Sequence, residues 1–138
     1  MTARPILIAQ ICDLHVTPPG TLAYGCVDTA AALTGAIDTL NRLAPRRNLV
    51  VISGDIVHSA LPEEYAHATK LLCALQIPFA AVPGNHDCRL SVRNAFPEPA
   101  YGATDSALNS VRHIGGIDVM LIDSTVPGGY TLSLTQRP

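Results

Sequence analysis

The chain has no Trp and only two Phe and four Tyr, so aromatics make up 4% of its residues and the core must be aliphatic. Charged residues are equally sparse at 14%, and the net charge near −2 provides no broad basic field for nucleic acid or an anionic membrane. The basic residues Arg46, Arg47, Arg89, Arg93 and Arg112 form no patch interleaved with aromatics, which excludes a nucleic-acid module as the expected function. No stretch approaches the ~20 apolar residues of a membrane span. The four cysteines, Cys12, Cys26, Cys73 and Cys88, show no CxxC spacing, which disfavours a disulfide scaffold or a thiolate zinc site. The start, with an apolar run too short for a secretory signal, reads as a cytoplasmic protein. No internal repeat or low-complexity tract is visible.

What is present is 48% hydrophobic sequence over 138 residues, enough for a single domain. Three short apolar runs, at 6 to 11, 48 to 53 and 78 to 84, read as buried strands. Helical periodicity between them, at 28 to 43 and about 62 to 75, predicts crossover helices. Asp28 is the expected N-cap of the first helix, and Ala32, Leu33, Ala36, Ile37, Leu40 and Leu43 its apolar face, with Pro45 as the stop. Pro62 followed by Glu63 and Glu64 opens the second. This alternation predicts an α/β fold with a parallel βαβαβ core. Beyond it, "CRLSVRNAF" suggests a short helix, and "SVRHIGGIDVMLID" a β-hairpin turning at Gly115 and Gly116.

Ligands of open parallel sheets bind beyond the carboxyl ends of the strands. Here those ends read "CDLH", "SGD" and "PGNHD", so Asp13, His15, Asp55, Asn85, His86 and Asp87 are expected to gather on one edge. If the first strand persists, Asp13 and His15, two apart, share a face and grip one cation together. Gly54 and Gly84 let the backbone turn sharply beside a ligand. Carboxylate, imidazole and amide donors together suit Fe, Mn or Zn better than Ca. Two such ions, bridged by a carboxylate, would activate a water and clamp a phosphoryl group.

The blocks "CDLH", "GDIVH" and "GNHD", in that order and at these intervals, resemble the first three blocks of the calcineurin-like metallophosphoesterases. "LIDSTVPGG" (121 to 129) and "PEEYAHATKLL" are similar, more narrowly, to the bacterial class III cyclic-nucleotide phosphodiesterase and glycerophosphodiesterase branch. The resemblance covers about residues 5 to 129. It implies a four-layer α/β/β/α fold and a two-metal centre that hydrolyses small phosphodiesters through a metal-bound hydroxide. By the same resemblance, Asp13 and His15 hold the first metal, Asp55 bridges, and Asn85 holds the second. His86 contacts phosphate and protonates the leaving oxygen, and Asp87 orients His86.

The family's second half supplies three further histidines that this chain does not show. The sequence therefore reads as the N-terminal half of such an enzyme, a truncated or frame-shifted single incomplete domain over 1–138. A second metal left with Asp55 and Asn85 would be weakly held. The alternative reading is a catalytically impaired remnant that binds one metal weakly, or an interaction module that self-associates through an exposed sheet edge. Of the remaining histidines, His58 reads as a loop or helix-start residue, with a supporting place beside Asp55 as the other option. His67 reads as solvated and His113 as structural. Cys12 and Cys88 read as small apolar packing residues, and Ser124 and Thr125 as turn formers rather than nucleophiles.

Overall fold

In the computed structural model, which describes residues 5–99, 101 and 106–126, the apolar runs form strands and the periodic segments form helices. The order is β1 (Ile8–Ile11), α1 (Thr29–Arg42), β2 (Leu49–Ser53), α2 (Pro62–Leu72), β3 (Phe79–Val82), α3 (Arg89–Ala95), β4 (Ser110–Ile114) and β5 (Ile117–Leu121). β1, β2 and β3 lie side by side in that order as a parallel sheet, with Ile8 opposite Leu49 and Val50 opposite Phe79. β4 and β5 form an antiparallel hairpin around Gly115 and Gly116, with Val111 opposite Met120. β3 is shorter than the apolar run because Pro78 and Pro83 flank it, and neither has an N–H for the ladder.

Side-chain alternation along the strands divides the core in two. Val50 and Ile52 of β2 and Ala81 of β3 face the helices, joining Leu33, Ile37, Leu40, Leu72, Val92 and Phe96. Leu49, Val51, Ala80 and Val82 face the other way, against Ile114, Val119 and Leu121 of the hairpin. The described residues thus build helices, parallel sheet and hairpin as three successive layers, an arrangement that fits the first layers of the expected metallophosphoesterase fold. Fully burying an aliphatic side chain such as Ile37, Ile52 or Leu72 contributes about 1.5–3 kcal/mol.

Helix ends are fixed by side chains. Asp28 Oδ1 accepts from the N–H of Ala31 at 2.9 Å, as expected of an N-cap. The buried face of α1 is Thr29, Leu33, Ile37 and Leu40. Ala32 is exposed and Leu43 only half-buried, so the stripe is narrower than the apolar residues suggest and includes a threonine. At the start of α2, the buried Glu64 accepts from the N–H groups of Ser59 (2.8 Å) and Leu61 (3.1 Å), and so fixes the loop that follows β2. No helix among the described residues is long and apolar enough to cross a membrane.

Candidate metal centre

Past their last paired residues, the tails of β1 and β2 stay hydrogen-bonded to each other. The N–H of Asp13 donates to Gly54 O (3.2 Å), that of His15 to Asp55 O (2.9 Å), and that of Val16 to Ile56 O (3.0 Å). β1 itself ends at Ile11, so Asp13 and His15 do not share a face by strand alternation, contrary to expectation. They converge because both adopt the left-handed conformation, with φ of 53° and 43°, and Asp55 does the same at 50°. Left-handed backbone costs roughly 1–3 kcal/mol at a residue with a Cβ and persists where surrounding structure enforces it, commonly at functional sites. Thr29 adds a restraint, donating its hydroxyl to His15 O at 3.0 Å.

The result is a compact donor set. His15 Nε2 stands 3.9 Å from Asp13 Oδ1 and 3.8 Å from Asp55 Oδ2. These gaps are too long for hydrogen bonds. They match the spacing of about 3–4 Å between two ligands of one ion whose bonds are about 2.0–2.2 Å. Asp13, His15 and Asp55 therefore fit a divalent cation.

The turn after β3 is pinned to Asp55. The N–H of His86 donates to Asp55 Oδ1 at 2.9 Å, leaving Oδ2 turned toward His15. Gly54 and Gly84 pack backbone to backbone, and a Cβ on Gly84 would stand 2.2 Å from Asp55 Oδ1 and 2.3 Å from its N. Only glycine permits that approach. Asn85 lies half-buried in this turn, beside His86 in the chain.

His86 and Asp87 divide the work differently from expectation. Asp87 does not orient the His86 ring. Its carboxylate accepts from the N–H groups of Gly84 (2.8 Å), Ile56 (3.0 Å) and Val57 (3.2 Å), and from the Tyr65 hydroxyl at 3.4 Å, stapling the turn to the β2 tail. Burial pushes the Asp87 carboxyl up from its ordinary range, against the three N–H groups that favour the charged form. What orients His86 is the backbone: its Nδ1 lies 2.7 Å from His58 O. A carbonyl only accepts, so Nδ1 carries the hydrogen and Nε2 is the open nitrogen.

His58 is not an exposed loop or helix-start residue; it stands among the site's rings, nearer to the second option, a place beside Asp55. It is half-buried, with its ring centroid 5.6 Å from that of His15 and 5.8 Å from that of His86, and Tyr24 stands against it at 4.7 Å. The signal available in the sequence was its place three residues after Asp55 on the same tail. His67 is also less solvated than expected, with Nδ1 hydrogen-bonded to Thr17 O at 2.8 Å. His113 pairs across the hairpin with Asp118, a structural role. Cys12 and Cys88 are exposed rather than packed.

Asp123, two residues past β5, is buried against Arg89 of α3, with Arg89 Nε 2.7 Å from Asp123 Oδ2. Burial raises the Asp123 carboxyl, but the N–H of Leu108, the hydroxyl and N–H of Thr125, and Arg89 outweigh it and hold the group below the usual range. Thr125 is thus a partner of this ion pair as well as a turn residue. Residues 127–129 of the "LIDSTVPGG" motif lie outside the described residues.

The profile of the Calcineurin-like phosphoesterase family matches residues 6–135. A probable glycerophosphodiester phosphodiesterase GpdQ of Arcobacter nitrofigilis is 32% identical over 123 residues, 89% of this chain and 45% of that protein. The glycerophosphodiester phosphodiesterase GpdQ of Enterobacter lignolyticus is 42% identical over 82 residues, 59% of this chain and 30% of that protein. The 3',5'-cyclic adenosine monophosphate phosphodiesterase CpdA of Pseudomonas aeruginosa is 28% identical over 129 residues, 92% of this chain and 44% of that protein. The chain spans less than half the length of these curated relatives.

Proposed function

The chain belongs to the calcineurin-like phosphoesterase family, and on that premise we propose that it is a metal-dependent phosphodiesterase acting on a cyclic nucleotide or a small glycerophosphodiester. The observation that carries the reading is the convergence of Asp13, His15 and Asp55 beyond the carboxyl ends of parallel strands, with His86 tied to Asp55. The names of the relatives, which divide between the two substrate classes, support a phosphodiester and leave both as candidates.

In this proposal Asp13, His15 and Asp55 hold the first cation, and Asp55 with Asn85 holds a second more weakly. Fe, Mn or Zn suits the donors. Such an ion supplies Lewis acidity toward a phosphoryl oxygen. Asp55 acts in two directions, toward the cation through Oδ2 and toward the His86 backbone through Oδ1, so the cation site and the proton-carrying imidazole keep a fixed relation. His86, locked by His58 O, presents Nε2 to the site; there it would take the proton released as water attacks phosphorus and give it to the alkoxide oxygen whose P–O bond breaks. Asp87 is a positioning residue that fixes the turn carrying Asn85 and His86. Four exposed, unpaired thiols support a reducing, cytoplasmic setting.

The test is hydrolysis of bis(p-nitrophenyl) phosphate with Mn2+, followed by 3',5'-cyclic AMP and glycerophosphoethanolamine. Asp55→Ala is expected to abolish turnover. Undiminished turnover in that variant would sink the assignment.

A further inference from the structure

His58 belongs to no ligand set that the family resemblance supplies, yet its surroundings are those of a ligand. Its N–H donates to Val16 O at 3.1 Å and its carbonyl accepts from His86 Nδ1, so the backbone is held from both sides. The buried Glu64 fixes the loop immediately after it. The ring is therefore presented by a rigid tail rather than a mobile loop.

One nitrogen from each of His15, His58 and His86 lies within 4.8 Å of the others. His15 and His86 meet edge to face with centroids 4.6 Å apart, while His58 and His86 are stacked. A purely structural histidine cluster would satisfy its buried nitrogens. Here Nδ1 of His15 and Nδ1 of His58 are both buried without a hydrogen-bond partner. Leaving a buried polar atom unpaired is costly, and two in one cluster point to something that they are meant to hold.

We propose that His58 is a metal ligand, forming with His15 and His86 a three-imidazole set for a zinc-class divalent cation. The proposal rests on the reading of this edge as a metal site, and extends it by a residue and a preference. Three neutral imidazoles favour Zn2+ over Mn2+ or Mg2+, which take oxygen donors. With the three nitrogens already within 4.8 Å of one another, small side-chain rotations bring them to the roughly 3–4 Å spacing of ligands on one ion.

His86, with Nδ1 tied to His58 O, can offer the set only Nε2, the proton-carrying nitrogen of the proposed reaction. Zinc held by the imidazoles withdraws it. Saturating Zn2+ therefore suppresses turnover that Mn2+ supports.

The direct test uses the wild-type chain with 15N-labelled histidine, stripped of metal by chelation and titrated with Zn2+. Imidazole nitrogen resonances of His15, His58 and His86 are expected to move together at one equivalent, while those of His67 and His113 stay put. His58→Phe, which keeps a ring against Tyr24, is expected to bind Zn2+ at least about tenfold more weakly. His58 resonances unmoved at saturating Zn2+, or an unchanged affinity in a folded His58→Phe, would overturn the proposal. The two readings separate cleanly. Mn2+-dependent turnover with a silent His58 keeps the phosphodiesterase and removes the imidazole site, whereas three shifting histidines without turnover do the reverse.

Discussion

Replacing Gly84 with alanine puts a methyl carbon 2.2 Å from Asp55 Oδ1, 2.3 Å from Asp55 N and 2.8 Å from Asp55 Cγ. Ordinary contact begins near 3.4 Å, so Asp55 must retreat by more than an ångström. Rotation of its side chain does not suffice, because the backbone nitrogen is as close as the carboxylate. Overpacking of this kind costs about 1–3 kcal/mol. The retreat also breaks the 2.9 Å bond from the His86 N–H to the carboxylate, and a hydrogen bond to a charged group is worth about 1.5–3 kcal/mol. The two effects share Asp55, so the expected loss is about 3–5 kcal/mol, or roughly 10–20 °C in Tm for a chain of this size. Turnover should fall about a hundredfold, since misplacement by an ångström suffices for that. Gly35→Ala is the control: it lies on α1 with nothing within 4 Å, and is expected to be neutral or to stabilise by about 0.5–1 kcal/mol. Circular-dichroism melts of both variants beside bis(p-nitrophenyl) phosphate assays decide the matter. A Gly84→Ala protein that melts within a few degrees of wild type and keeps its turnover would refute the close approach of the two loops.

Asp123 should make the fold acid-sensitive. Its folded pKa lies below the ordinary 3.8, so the unfolded chain binds more protons in that interval; the stabilisation is complete above 3.8 and is lost as pH falls through the folded value. Asp123→Asn is expected to cost about 1–3 kcal/mol at neutral pH by taking the counter-charge from the Arg89 guanidinium, which keeps only its bonds to Thr125, and to remove this part of the acid slope in denaturant titrations; an unchanged slope would contradict the assignment. Tyr65→Phe removes a hydroxyl that accepts from the Cys88 N–H at 2.8 Å and donates to Asp87. A loss of about 1–3 kcal/mol is expected in urea unfolding, and an unshifted midpoint would show that the Cys88 N–H finds another partner.

The elements that rest on periodicity were readable in the sequence. β2 and the first two helices lie within a few residues of the apolar patterns, because alternation and the 3.6 repeat directly record which faces are buried. The gathering of Asp13, His15, Asp55 and His86 followed from a rule about strand ends, which needs only the topology. The manner of the gathering was not readable. Nothing local in "CDLH" announces that Asp13 and His15 turn left-handed and are held by the tail of β2, some forty residues away. Besides the nearby Gly84 N–H, Asp87 is bound by the N–H groups of Ile56 and Val57, some thirty residues back, whereas the sequence shows only the imidazole next to it. Arg89 and Asp123 meet over 34 residues for the same reason. For His58 the sequence offers a place beside Asp55 only as the second option, because the rings that surround it, Tyr24, His15 and His86, are brought there by other segments of the chain.

The central claim is that Asp13, His15 and Asp55 hold a cation on which phosphodiester hydrolysis depends. The most direct measurement is turnover of bis(p-nitrophenyl) phosphate by the purified chain before chelation, after it, and after Mn2+ is restored. The account predicts activity that disappears on chelation and returns with Mn2+. Turnover that survives exhaustive chelation, with metal content confirmed as nil, would contradict it.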